Sequence, residues 1–423
     1  MRYSLINPPW NFDQSIYFGC REPHLPLELG YSRALLERAG HEAQIIDAQL
    51  NNLTLDQVVK EVEGFKSDLA VVATAPSYLF WRCAPPELRI PKLMMDALRP
   101  LGVTLVAVGP HGSTTPRATL NKTGADIVVI GECEEILPQI TGELSNVQSI
   151  CYHGESGVAI QGGPHASDMD RLPALKWDRD TISKHTHHHH RFDGSLLGPG
   201  AEMETSRGCP YHCTFCAKDN FRNAFRRRPL EIVAEELDGL CDAGIEYIYF
   251  IDEIFLAFRP VLEMIAERKI KFGIQTRIDL WSYEMIDLLG KAGCVSIEAG
   301  VESITPEGRD LLDKKCKLST DDITKRLLHA KQRVPFVQAN LLDSKCDDPA
   351  EVEEWRRHLQ ENGVWANKPV PLFPYPGSPD YTRRWGVPDD RAWDRAHDFY
   401  LNQFDEFSDI QEQRPAALVQ LES

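Results

Sequence analysis

No stretch of this sequence approaches the roughly 20 consecutive apolar residues that a membrane span requires. The opening MRYSLINPPW also lacks the long apolar core of a secretion signal. Both absences point to a cytoplasmic protein with no membrane partner. Positive charge is scarce too: 46 Lys and Arg against 63 Asp and Glu leave a formal net charge of −17. So acidic a chain is a poor coat for nucleic acid or an anionic surface, since both need clustered cations. No low-complexity repeat occurs apart from His187 to His190, an internal run that reads as a linker, a lid or a metal contact.

What is present fits an ordinary globular protein, with 42% hydrophobic and 26% charged residues over 423 positions. That length allows two or three domains. In a reducing compartment its eleven cysteines read as thiols and metal ligands rather than disulfides.

Residues 1–141 alternate short β-branched runs (Tyr3 to Ile6, Ala43 to Ile46, Leu69 to Thr74, Val103 to Val108, Ile127 to Ile130) with helical stretches. Buried strands separated by helices predict a parallel, Rossmann-like sheet. Several strands end in Gly or Pro, at the edge where open α/β sheets bind ligands. Residues 142–198 are rich in Gly, Pro, Ser and His and read as a connector with some local β structure. Alternation resumes over 199–379, with about six βα units from Ala201 to Leu372, which predicts a partial (β/α)6 barrel. Residues 380–423 read as a helical extension.

The chemistry concentrates in Arg207-Gly-Cys-Pro-Tyr-His-Cys-Thr-Phe-Cys216. Three thiolates at C-x3-C-x2-C spacing can converge on one inorganic cluster and leave one iron open. A zinc site completed by a fourth ligand such as His212 is the competing reading. Asp252 and Glu253 end a very apolar strand, Arg277 follows another, and Glu298 and Glu302 lie four apart near a third strand's end. Each has a plain alternative, a helix cap or a salt bridge (Arg277 with Asp279). The basic group Lys218, Arg222, Arg226, Arg227 and Arg228 reads as a solvated face, a stabiliser of cluster charge or a dock for an acidic electron donor. Cys294, Cys316 and Cys346 read singly as packing and together as soft ligands for a thiophilic substrate.

The cysteine motif, with Phe215 before its last cysteine, resembles that of the radical S-adenosylmethionine (SAM) superfamily. Phe250-Ile-Asp-Glu-Ile-Phe255, Ile297-Glu-Ala-Gly-Val-Glu-Ser303 and Pro371-Leu-Phe-Pro-Tyr-Pro-Gly-Ser378 resemble its later strand-end segments. Asn7-Pro-Pro9, Val108-Gly-Pro-His111 and Ile130-Gly-Glu132 resemble the cobalamin-binding branch. The resemblance implies that Cys209, Cys213 and Cys216 bind a [4Fe–4S] cluster whose fourth iron takes SAM. It implies SAM contacts from Phe215, Asp252, Glu253, Arg277, Glu298 and Glu302, a small-molecule substrate, and an electron donor such as flavodoxin or ferredoxin. The family's commoner Gly-Gly-Glu segment is missing, which leaves open which carboxylate meets SAM. Cobalamin also stays open, because the Asp-x-His-x-x-Gly pattern of a protein axial ligand is absent.

Among members of the family the pattern resembles most the arsinothricin-forming kind, which implies 3-amino-3-carboxypropyl transfer to trivalent arsenic. The alternative is cobalamin-dependent methylation of a small molecule. A non-enzymatic cobalamin or redox sensor is a remote third reading.

Overall fold

A computed structural model describes residues 1–16, 23–77, 84–185, 199–222, 224–403 and 414–423. The His187 to His190 run lies outside the described residues. The first sheet is built from β1 (Arg2–Asn7), β2 (Glu42–Asp47), β3 (Leu69–Ala73), β4 (Thr104–Val108), β5 (Ile127–Val129), β6 (Ile150–Gly154) and β7 (Gly157–Gln161), in the order β2-β1-β3-β4-β5-β6-β7. The first five strands run parallel, and β6 and β7 add an antiparallel hairpin. The stretch expected to be a connector therefore extends the first sheet past residue 141.

The parallel strands are buried throughout β3, Leu69 to Ala73, and nearly so in β1 and β4. Strands so enclosed need cover on both faces, supplied in part by helices Leu27–Arg38, Leu55–Phe65 and Arg89–Leu98. Helix Leu55–Phe65 begins with a reciprocal cap between Thr54 and Gln57. Strand order reverses at β1, so the crevice between the carboxyl ends of β1 and β3 is a topological switch point.

The second sheet joins β8 (Gly200–Met203), β11 (Tyr247–Phe250), β12 (Lys271–Thr276), β13 (Cys294–Glu302), β14 (Phe336–Leu341) and β15 (Trp365–Ala366) in the order β15-β14-β13-β12-β11-β8. Every pairing is parallel, giving the expected open six-stranded barrel. Its helices start at side-chain caps from Ser282, Thr305, Ser319 and Asp348. The last strand is shorter than the expected Ala366 to Leu372 run. Pro369 and Pro371 have no N–H to donate, and Asn367 instead accepts from the Leu341 N–H at 2.7 Å.

One hydrophobic core runs from Leu5, Tyr31 and Val106 in the first domain to Tyr249 and Phe250 in the barrel. A separate cluster joins the C-terminal segment to the first domain's carboxyl edge, with Trp393, Ala396 and Tyr400 packed among Ile16, Ala75 and Ala84. The Trp393 indole N–H donates to Thr115 Oγ1 at 3.1 Å, and its ring lies 4.8 Å from that of His111. Trp393→Ala should cost about 3 kcal/mol and expose the tail after Gly386 to limited proteolysis; an unchanged cleavage rate would contradict this docking.

Buried acids set a pH dependence. Burial raises Glu28 from 4.5 to about 8, opposed mainly by its own backbone and by Ser77 Oγ, which donates to it at 2.9 Å. The carboxyl is therefore protonated when folded and ionised when unfolded across that interval. Its contribution to stability is complete below 4.5 and is lost as pH rises toward 8. Glu28→Gln should stabilise the fold at about pH 8.5 and be neutral at about pH 4.5; denaturant unfolding at the two values checks the difference.

Candidate active site

The cysteine motif forms a loop closed at its base by two short strands, β9 (Ser206–Arg207) and β10 (Arg226–Arg227). Gly208 holds φ at 78°, and a Cβ there would lie 2.1 Å from the carbonyl oxygen of Ala224. Only glycine fits that turn. The Thr214 N–H donates to Leu312 O at 3.0 Å, and the Asp380 N–H donates to Thr214 O at 2.9 Å. Asn220 Nδ2 donates to Pro376 O at 2.8 Å. These bonds fasten the loop to the segments that follow β13 and β15.

Cys209, Cys213 and Cys216 border one cavity of about 230 Å³ at the barrel mouth. Among the described residues no three His, Cys, Asp or Glu side chains are grouped to hold one metal ion. Three thiols, none in a disulfide, around a common cavity suit a cluster in which each thiolate meets its own iron. Burial raises Cys213 to about 11, against the pull of Lys314 and Arg277. Assembly of a cluster therefore has to release protons.

The same cavity is bordered by Phe215, Glu253, Arg277 and Glu302, as expected, and also by Tyr211, Lys218, Gln275, Lys314 and Tyr375. Arg277 donates through Nε and Nη2 to Asp279 at 3.2 and 2.8 Å, and its guanidinium lies 4.1 Å from the Tyr211 ring centroid. Its Nη1 is buried without a partner, as are Glu302 Oε2 and Gln275 Oε1. Glu302 Oε1 accepts from Lys314 Nζ at 2.7 Å. The cavity thus offers an open donor and two open acceptors, which fits the carboxylate, ammonium and hydroxyl groups of SAM.

Two expected contacts stand elsewhere. Asp252 does not border the cavity; its oxygens accept from Thr205 N, Thr205 Oγ1 and Ser206 Oγ at 2.6 to 2.8 Å. Burial raises it to about 7. It ties the ends of β11 and β8 together beneath the cysteine loop. Glu298 is buried on β13 outside the cavity, while Gly300 and Glu302 of that strand line it.

The basic group is neither a solvated face nor an open docking patch. Arg222, Arg228 and Lys218 are buried, and Arg226 is mostly so. Arg207 and Arg222 meet Glu132 of the first domain at 3.0 and 3.5 Å and Glu204 at 2.7 and 3.2 Å. Arg226 pairs with Glu132 as well. These guanidiniums lower Glu132 to about 2 against the cost of its burial. Arg227 alone in the group is exposed, stacked 4.1 Å from the Phe258 ring centroid.

Cys294 lies in the core with its thiol on Ser296 O and raised to about 12 by burial, and Cys346 is exposed. Neither these nor Cys316 borders the cavity, so no thiol trio faces a substrate there.

Residues 203–344 match the radical SAM superfamily and residues 21–141 match the B12 binding domain. The chain therefore carries a radical SAM domain preceded by a B12-binding domain. Its relatives include proteins named as methyltransferases and others named as anaerobic magnesium-protoporphyrin IX monomethyl ester cyclases. An uncharacterized methyltransferase of Pyrococcus horikoshii is 26% identical over 330 residues, 74% of this chain and 68% of that protein. The cytidylyl-2-hydroxyethylphosphonate methyltransferase of Streptomyces wedmorensis is 25% identical over 350 residues, 67% of this chain and 62% of that protein. The radical SAM methyltransferase TsrM of Kitasatospora setae, solved with cobalamin and a [4Fe–4S] cluster, shares the fold. Its TM-score is 0.70 at 17% identity over 90% of this chain and 76% of that one. No helix among the described residues is long and apolar enough to cross a membrane.

The two domains bring a [4Fe–4S] cluster, SAM and cobalamin as cofactors. At the first sheet's carboxyl edge, Glu87 Oε2 and both ring nitrogens of His397 are buried without partners, which fits a cofactor rimmed by amide groups. His111 has both ring nitrogens engaged within the protein, by Thr74 Oγ1 at 3.2 Å and Pro85 O at 2.7 Å. A cavity of about 30 Å³ separates this edge from the cysteine loop, bounded by Pro110, Thr114, Trp393 and Phe221. That cavity shares Ala217, Lys218 and Tyr375 with the cysteine cavity.

Gly208→Ala should abolish cluster loading, because the obstruction is backbone rather than a flexible side chain; iron and sulfide analysis after anaerobic reconstitution checks it, and a full complement would contradict the turn's role.

Proposed function

We propose that this chain is a cobalamin-dependent methyltransferase acting on a small-molecule acceptor. The observation that carries the reading is the shared wall of Ala217, Lys218 and Tyr375 between the cysteine cavity and the cavity at the first sheet's carboxyl edge. An acceptor at this wall lies within reach of both cofactor sites. Methyltransferase names among the relatives support the same reaction class.

When bound, the cluster supplies the electron that breaks a carbon–sulfur bond of SAM, and cobalamin supplies a carrier for the methyl group. The chain's own residues position and shield. Arg277 Nη1 would donate to the carboxylate of SAM, while Nε and Nη2 keep the guanidinium fixed on Asp279. Glu302 Oε2 and Gln275 Oε1, buried without partners, would accept from its ammonium or ribose hydroxyls. Phe215, Ile254 and Tyr375 bring apolar surface to the cavity and exclude water from the reacting bond. The electron itself comes from an external donor of the flavodoxin or ferredoxin class.

Transfer of a 3-amino-3-carboxypropyl group to arsenic, which the sequence pattern suggested, finds no support in the relatives or in the cavity's lining. Product analysis separates the two reactions. The reconstituted, cobalamin-loaded protein with SAM and reductant should yield 5′-deoxyadenosine and S-adenosylhomocysteine. Accumulation of 5′-methylthioadenosine instead would overturn the methyltransferase reading.

A further inference from the structure

The SAM cavity is held partly from outside its own domain. Glu132 sits on the turn that follows β5, beside Gly131, and is 1% exposed. Arg222, equally buried, reaches Glu132 Oε1 at 3.5 Å, Glu204 Oε2 at 3.2 Å and Glu253 Oε1 at 3.4 Å. Glu253 borders the cavity, and its other oxygen accepts from the Gly208 N–H at 2.7 Å, one residue before Cys209. Arg207, the residue before Gly208, meets Glu132 and Glu134 at 3.0 and 2.7 Å. Two routes therefore run from the acidic turn of the B12-binding domain to the entry of the cysteine loop, and each passes through a buried guanidinium.

We propose that Glu132 is a positioning residue for SAM binding: through Arg222 it holds Glu253 at the cavity wall, and through Arg207 it fixes the start of the cysteine loop. This rests on reading the cavity as the SAM site. Removing one carboxylate from such a network leaves guanidiniums buried and underpaired, so the neighbouring charges rearrange around the loss. Arg222, still paired with Glu204, then leans further on Glu253 and draws it away from Gly208. The effect is a displaced contact with SAM and a loosened loop, not a lost ligand. Glu134 meets Arg207 and so bears on the loop through that route.

The test is a titration of the reduced, reconstituted protein with SAM, followed by the electron paramagnetic resonance signal of its cluster. The parent signal should change on binding SAM. Glu132→Gln should need on the order of tenfold more SAM for the same change, at unchanged iron and sulfide content. Glu132→Asp, which keeps the charge, should recover most of the affinity. The control is Glu236→Gln, which breaks the buried Arg228–Glu236 pair in the same region without touching Glu253; it should titrate as the parent does. If Glu132→Gln does not load a cluster, Arg222→Lys tests the same link and should weaken SAM binding similarly. A parental titration curve in Glu132→Gln or Arg222→Lys, or an equal loss in Glu236→Gln, overturns the positioning role. A parent whose signal ignores SAM overturns the reading of the cavity itself, and the inference with it.

Discussion

The arrangement depends on a buried ion network at the junction of the two domains. Glu132 and Glu134 come from the first sheet's edge, Arg207, Arg222 and Arg226 from the base of the cysteine loop, and Glu204 and Glu253 from the barrel. Removing charges from water is expensive, and such networks often add little net stability compared with apolar packing. Their partners, however, are demanding about geometry. A guanidinium with three carboxylates around it has few places to go. The stability of the junction can come from the continuous apolar core that joins Tyr31 and Val106 to Phe250, while the ion network sets its register.

That division of labour explains why the loop with three cysteines can be built without regular structure. Its ends are pinned by the short β9–β10 ribbon, its middle by Thr214 to Leu312 and Asp380, and its entry by Asp252 and Glu253. The anchors thus come from strand ends and from helices that follow them. The same logic places the C-terminal segment. Trp393 and Tyr400 close over the first domain's edge while Asn220 binds Pro376 beside the cysteine loop. One chain end thus borders both cofactor sites.

Much of this was legible in the sequence. The alternation of buried strands and helices reports a period that packing enforces everywhere, so both sheets and most boundaries follow from it. The cysteine loop was legible because its ligands are local. The ion network was not. Arg226 to Arg228 reads as a solvated basic run because its counter-charge, Glu132, lies 94 residues away from Arg226, and no local pattern reports so distant a pairing. Asp252 and Glu253 illustrate the same limit. Adjacent on a strand end, they diverge, one to brace β8 and one to border the cavity. Gln275 and Lys314 carry no motif, and only the convergence of strand ends shows them. Pro369 and Pro371 were visible signals that the last strand would be short.

The central claim is that two cofactor sites meet at the wall of Ala217, Lys218 and Tyr375, with SAM held by Arg277 on the barrel side. A structure of the anaerobically reconstituted chain with SAM and cobalamin bound tests it most directly. The account predicts a four-iron cluster on Cys209, Cys213 and Cys216, the SAM carboxylate on Arg277, and cobalamin at the first sheet's carboxyl edge across that wall. Cobalamin bound elsewhere, or SAM placed away from Arg277, would contradict it.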